Sequence, residues 1–330
     1  MKRGVVRTLR ILFIVAVLAM LVVFARTVNW GATWRAIKTT SIPILILAAL
    51  VNVASLVLKG VRWWVFLRPI GAESLWLALR ATFAGAGLNN VLVANGGEAA
   101  RVIFVSRSAH IQSAKVLATL ALERLFELVG YVFMLTAAVS ILNLPPSLER
   151  TRPVALIALV IMIALLVYLV KHPEKADVPA AGEGLFARGK HYVRRFMATL
   201  TGISTPARFV ASLALSVAIW ALQVATYALT ATAAHFPLPV VGTVAALLAV
   251  NLGFAVRATP GNVGLFQMMY AVSATAFGMD KDRAIAVAFL IQTQQILPVT
   301  ILGLAAAPQM LFAKRRKEPR EDNVLPGEPV

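Results

Sequence analysis

Residues 83–127 read FAGAGLNNVLVANGGEAARVIFVSRSAHIQSAKVLATLALERLFE. A run of small residues ends in Asn95-Gly96-Gly97-Glu98, Arg101 follows, and a long apolar segment then carries Glu123, Arg124 and Glu127 in its middle. Whether this stretch lies in water or in lipid decides the fold, and composition answers. The 330 residues are 59% hydrophobic and only 14% charged, against about 25% charged in a soluble domain. The chain therefore reads as an all-α, polytopic membrane protein. Its 32 Lys and Arg outnumber 14 Asp and Glu. The bases cluster between apolar spans, which fits the positive-inside rule and anionic lipid headgroups, so no nucleic acid is expected as a partner. Cysteine is absent and the four histidines stand at unrelated spacings. Disulfides, thiolate nucleophiles and zinc sites are thereby set aside, and no cofactor or metal is expected.

Working outward, about 20 apolar residues are needed to cross about 30 Å of hydrocarbon. Lys2, Arg3, Arg7 and Arg10 precede the run Ile11 to Ala25, read as an uncleaved first span, since no small-x-small cleavage site follows it. Ile42 to Leu58 is a second span, closed by Lys59, Arg62, Trp63, Trp64 and Arg68 as an interface signature. Glu73 to Arg80 reads as a surface helix. Ala81 to Ala94 is too short to cross, so residues 79–108 read as a re-entrant hairpin of two half-helices, tolerated at that depth only where protein or a water-filled cavity surrounds the turn. Val116 to Leu142, Pro153 to Val170 and Arg208 to Ala234 are further spans. Val240 to Phe277, interrupted by Arg257 and Thr259-Pro260-Gly261-Asn262, is a second re-entrant hairpin, and Ala284 to Ala307 is the last span.

This gives about six full spans plus two re-entrant hairpins, or up to eight spans if the hairpins cross. Both termini are placed on the cytoplasmic side of the membrane. Only Arg26, Arg35, Lys38, Arg150, Arg152, Lys281 and Arg283 fall outside, and the other bases lie inside except Arg124 and Arg257 in the membrane. The bias supports the orientation but does not separate hairpins from full spans. Residues 1–313 form a single transmembrane domain, with inverted halves of about 1–142 and 153–313, and residues 314–330 form a disordered cytoplasmic tail. An inverted-topology repeat is how secondary transporters build two-sided access around a midplane site. The hairpin tips match in chemistry. Asn95 with Glu98 has capping-box spacing, and Thr259 followed by Pro260 is an N-cap with Pro at the first helical position. Each tip is either a helix N-terminus offered to an anionic group or a glycine-rich turn that permits close packing.

Glu123 and Glu127 stand four apart on one helix face, and Arg124 is three before Glu127 and in reach of it. At the bilayer centre each charge costs about 2.5–3.5 kcal/mol on the translocon scale, so this cluster does not face lipid. Two readings stay open: a self-neutralising structural network with Arg101 or Arg257, or a headgroup-binding or proton-coupled site. Gln292, Gln294, Gln295, Asn89, Asn90 and Asn251 either line a cavity or bond across helices. There is no P-loop, dinucleotide fingerprint or serine–histidine–acid spacing.

At these residues the chain resembles the transmembrane region of bacterial lysylphosphatidylglycerol synthases and the flippase-like integral membrane proteins grouped with it. The resemblance runs from about Arg7 to Phe312. It is carried by Asn90 through Arg101, by Leu122-Glu123-Arg124 with Glu127, by Pro260-Gly261-Asn262-Val263-Gly264 with Phe266-Gln267, and by Leu297 to Gly303. Two positions depart from the family pattern: Ala94-Asn95 where many relatives have Pro, and Gln292 to Gln294 where many have a basic residue or His.

The resemblance implies a lipid flippase. Asn95, Gly97, Glu98 and Arg101 would form the first hairpin site, Glu123, Arg124 and Glu127 a charged wall, and Arg257, Thr259, Pro260, Gly261, Asn262 and Gly264 the second. The soluble aminoacyl-transferase domain of the full synthases is missing from the sequence, so lysyl-lipid synthesis is not expected of it. The expected partners are membrane lipids with anionic or lipid-linked headgroups, with a lipid-biosynthesis enzyme as a further possible partner. The alternatives are a membrane-embedded lipid-modifying transferase or hydrolase, with Glu123 or Glu127 as general base, and the non-catalytic membrane subunit of one.

Overall fold

A computed structural model of the chain describes residues 26, 28–91, 96–141, 153, 156–157, 160–161, 164, 205–254 and 262–306. These residues form α-helices and one short 3-10 turn at Arg68–Ile70, with no strand among them. In chain order they are α1 (Trp30–Lys38), α2 (Ile42–Leu67), α3 (Leu75–Val91), α4 (Gly96–Ala109), α5 (Ser113–Ile141), α6 (Pro206–Ala233), α7 (Val240–Gly253), α8 (Leu265–Thr275) and α9 (Lys281–Ala306). The first span, the fourth, the long polar loop and the tail expected from the sequence lie wholly or mostly outside the described residues.

Helix starts follow from local chemistry. Asn29 accepts from the Ala32 N–H at the head of α1, and Thr205 accepts from the Arg208 N–H just before Pro206 opens α6. Asp280 takes the N–H groups of Asp282 and Arg283 ahead of α9. These side-chain oxygens satisfy donors that a helix leaves unpaired at its N-terminus. Residues 42–70, 207–233 and 281–306 are long and apolar enough to cross a membrane. The 29-residue α5 matches them in length and carries the charged cluster. The helices α3, α4, α7 and α8 have 17, 14, 14 and 11 residues. At about 1.5 Å per residue they reach only about 17–26 Å. Each consecutive pair, α3 with α4 and α7 with α8, packs against itself.

Two boundaries differ from the sequence expectation. The second span does not close at Leu58: α2 runs on to Leu67, with Lys59 and Arg62 turned toward Glu127 and Ser216 on neighbouring helices. The surface helix expected over 73–80 is the opening of α3, which continues unbroken from Leu75 to Val91.

The long helices pair across the chain. α2 lies along α6, and α9 lies along α3. The α3–α9 crossing needs glycine on both sides: a Cβ on Gly87 would stand 3.1 Å from the Gly303 Cα, and one on Gly303 would stand 2.5 Å from the Phe83 carbonyl oxygen. Backbones this close gain dispersion contacts, which is what drives helices together in lipid. One apolar core joins α6 to α9 around Tyr227, Leu247, Phe266, Tyr270, Ile285 and Ile291, and a second joins α2 to α5 around Trp63, Leu67, Val105 and Val116. Ile42, Ile46 and Leu50 repeat every four residues on α2 and are all exposed, as are Leu297, Ile301 and Leu304 on α9. Such apolar stripes suit hydrocarbon rather than water.

Pro298 lies inside α9 and supplies no N–H to the carbonyl four residues back, that of Gln294. The Asn52 side chain from α2 donates to that carbonyl at 3.4 Å, and both groups are buried. Asn90 on α3 donates to Thr300 Oγ1 at 3.1 Å just past the proline. Asn52→Leu is therefore expected to lower stability by about 1–3 kcal/mol, the cost of a buried acceptor left unpaired. Thermal unfolding in detergent checks this. Adding Pro298→Ala should restore the loss, since an alanine in place of the proline brings its own N–H. An unchanged midpoint for Asn52→Leu would remove the capping role.

Candidate functional site

A cavity of about 570 Å³ opens among α2, α3, α5, α6, α7 and α9. It falls in the range of ligand sites, about 300–1,000 Å³. One face comes from α2, where Asn52, Ser55, Lys59 and Arg62 follow one another at helical spacings of three and four and all line the cavity. From α5 come Arg124, Glu127, Leu128 and Tyr131 at the same spacings, and from α6 Trp220, Gln223 and Tyr227. Asn90, Asn251 and Gln295 complete a polar lining, and Asn90 also bonds across to Thr300 on α9. Gln292 accepts from Gln267 Nε2 at 2.5 Å and Gln294 donates to Thr230 Oγ1, so both bond across helices while buried.

The ionised groups sort into two layers. In the cavity wall, Glu127 meets three cations: Arg124 Nη1 at 2.5 Å, Arg62 Nη2 at 3.6 Å and Lys59 Nζ at 3.9 Å. Arg124 also pairs with Glu98 on α4. Arg62 is 1% exposed and donates one hydrogen bond, from Nη1 to Ser216 Oγ at 2.8 Å; its Nε and Nη2 are buried without a hydrogen-bond partner. Behind the wall lies the second layer. Arg101 Nη2 donates to Glu123 Oε2 at 2.9 Å with both side chains buried, Thr82 Oγ1 lies 3.4 Å away, and the guanidinium stacks on Trp63 at 4.0 Å from the ring centroid. Trp63 is fixed in turn by Nε1 donating to Thr119 Oγ1.

Of the residues singled out from sequence, Arg124 and Glu127 line the cavity. Glu98 reaches it through Arg124, and Arg101 and Glu123 form the sealed pair behind. Gly97 packs the first hairpin: a Cβ there would run into the Gly85 carbonyl oxygen, and its N–H donates to Asn89 Oδ1 at 2.8 Å. At the second hairpin, Gly264 has a left-handed φ of 90° and its N–H donates to Gln267 Oε1 at 2.7 Å. Asn262, also left-handed, donates to the Gly253 carbonyl at 3.2 Å. Thus Gly97 and Gly264 each give their N–H to an amide of the protein itself. Asn95, Arg257, Thr259, Pro260 and Gly261 lie outside the described residues.

The sequence places Lys59 and Arg62 at an interface, whereas the structure makes them part of the wall. Their signal is nonetheless present: Asn52, Ser55, Lys59 and Arg62 make one polar stripe on an otherwise apolar helix. Among the described residues no group of three or more His, Cys, Asp or Glu side chains is placed to share a metal ion. Among its lining residues the wall has Lys59, Arg62 and Arg124 against Glu127, with Glu98 pairing Arg124 from α4 and half of the Arg124 side chain exposed. Chemically this arrangement suits an anionic group with several acceptor oxygens, because guanidinium forks match carboxylate and phosphate geometry.

Long apolar helices around a cavity lined by charged side chains define a helical membrane protein. The chain belongs to the lysylphosphatidylglycerol synthase TM region family, whose family model matches residues 9–303. A comparison with curated proteins found no match.

Proposed function

We propose that the protein moves a lipid bearing an anionic, phosphate-containing headgroup between the leaflets of the membrane. The observation that carries this reading is Arg62, buried beside Lys59 and Arg124 with Nε and Nη2 unbonded and only Glu127 as the opposing carboxylate in the cavity. A phosphate entering there supplies the missing acceptors. Phospholipids and polyprenyl-linked lipids fit this chemistry, as does an aminoacylated phospholipid through its phosphate; a hopanoid fits only if it carries an anionic group.

Three observations support the architecture of an inverted repeat with re-entrant hairpins. The half-helices are too short to cross about 30 Å of hydrocarbon. The order long helix, short pair, long helix occurs in α2–α5 and again in α6–α9. Packing follows the same exchange: α3 meets the last helix of the second half, and α7 meets the last helix of the first. In this reading the headgroup crosses through the central cavity, Lys59, Arg62 and Arg124 hold it, and Glu127 keeps the cations charged and in place between passages. The reading as a transferase or hydrolase has less support, because Glu123 and Glu127 each face a cation and neither is poised as a base.

Purified protein in vesicles tests the function, with a labelled acidic phospholipid and a labelled neutral glycolipid as cargo. The expected result is faster exchange of the acidic lipid between leaflets than in protein-free vesicles, with little change for the neutral one. Exchange no faster than in protein-free vesicles for every phosphate-bearing lipid tried would end the reading.

A further inference from the structure

We infer that the cavity opens sideways through the seam between α5 and α7, and that this seam seats the acyl chains of the lipid whose headgroup occupies the cavity. The inference rests on the lipid-handling reading above and adds where the lipid stands. Three apolar side chains line the cavity and are also exposed: Leu128 on α5 at 54%, Leu252 at the end of α7 at 60%, and Phe254 just beyond it at 37%. A group in the cavity therefore meets, at this seam, a continuous path from charge to hydrocarbon. The seam is held by Tyr131 Oη donating to the Leu248 carbonyl at 3.3 Å.

The counterpart seam between the halves, between α3 and α9, is shut. Gly87 and Gly303 bring the two backbones into contact, Asn90 bonds to Thr300, and the cavity-lining Val299 is only 6% exposed. If the halves are inverted copies, the two seams are counterparts, and one is sealed while the other is ajar. Acyl chains attached to a headgroup held by Arg62 and Arg124 have the α5–α7 seam as their way out. A charged or peptide-like occupant would find no partner on Leu128, Leu252 and Phe254, whereas an alkyl chain buries apolar surface there.

Photo-crosslinking tests the seam. The full-length protein is placed in vesicles doped with phosphatidylglycerol that carries a diazirine on one acyl chain, and adducts are mapped by peptide mass spectrometry. Adducts are expected to concentrate on the segments around Leu128, Leu252 and Phe254. Arg62→Gln should lower them about tenfold through the loss of charge-assisted contacts to the headgroup. Leu252→Trp, at an exposed site, should lower them by blocking the seam, and it carries the test alone should Arg62→Gln fail to fold. Adducts spread evenly over Ile42, Leu50, Leu297 and Ile301, or gathered at the α3–α9 seam, would overturn the inference. Leaflet exchange measured on the same vesicles separates the two claims. Seam adducts without exchange keep the portal and remove transport; exchange with evenly spread adducts keeps transport and removes the portal.

Discussion

Arg124→Gln is expected to lower lipid exchange at least about a hundredfold while leaving the protein folded. The side chain bridges Glu98 on α4 and Glu127 on its own helix, and half of it is open to the cavity. On the proposed function it is thus the cation that a headgroup meets first, and its two ion pairs tie α4 to α5. Two charge-assisted contacts are lost at about 1.5–3 kcal/mol each, and each 1.4 kcal/mol is about tenfold. Folding should survive because the site is half-exposed, and the released carboxylates keep other partners, Glu127 having Arg62 and Lys59. Arg124→Lys should recover part of the rate, since an ammonium keeps the charge but cannot bridge two carboxylates with a planar fork. The measurement is leaflet exchange of an acidic phospholipid, with monodispersity in detergent as the folding control. A rate equal to the unmodified protein would remove Arg124 from headgroup contact.

Glu123→Ala is expected to act on stability instead, costing about 3–5 kcal/mol, the range for breaking a buried ion pair from one side. Glu123 is 4% exposed and Arg101 is 6% exposed, so the stranded guanidinium has no route to water. Replacing both partners by apolar residues, Arg101→Met with Glu123→Leu, should recover much of the loss, because removing a buried pair outright is far cheaper than halving it. Thermal unfolding of the two single variants and the double gives the coupling directly. Should Glu123→Ala unfold at the unmodified temperature yet fail to exchange lipid, Glu123 belongs with the headgroup contacts and the sealed layer is the wrong account of it. The contrast with Arg124, its immediate neighbour in sequence, is the sharpest consequence of the two-layer arrangement.

That arrangement also explains how so many charges persist in an apolar chain. The buried cations have further partners besides their carboxylates: Arg101 stacks on the face of Trp63 and Arg62 donates to Ser216. A ring face and a hydroxyl stabilise a guanidinium less than a carboxylate does. The proposed headgroup would compete for these cations, and the sealed pair behind the wall joins α4 to α5. The Asn52–Gln294 bond has a related role on the opposite side, because it lets α9 contain Pro298 and still pack along α3.

The class of the protein is legible in its amino acids without coordinates. A chain so apolar and so sparsely charged has too little polar surface for water, and its helical spans, its membrane setting and its family can be read from composition and short motifs. The Arg124–Glu127 pair is legible too, because the helical period alone brings residues three apart together. The same period puts Glu123 and Glu127 on one face, and there local reasoning stops. Packing between helices turns Glu123 toward Arg101 on α4 and Glu127 toward Lys59 and Arg62 on α2, contacts that no single helix period supplies. It also draws Arg62 from an expected interface into the interior, and gives the Gly97 N–H to Asn89 on α3. The physical reason is common to all of these. Periodicity fixes neighbours along one helix, whereas the partner of a buried charge depends on which helix packs against it, and that is settled by the fit of glycine and large side chains across the whole bundle.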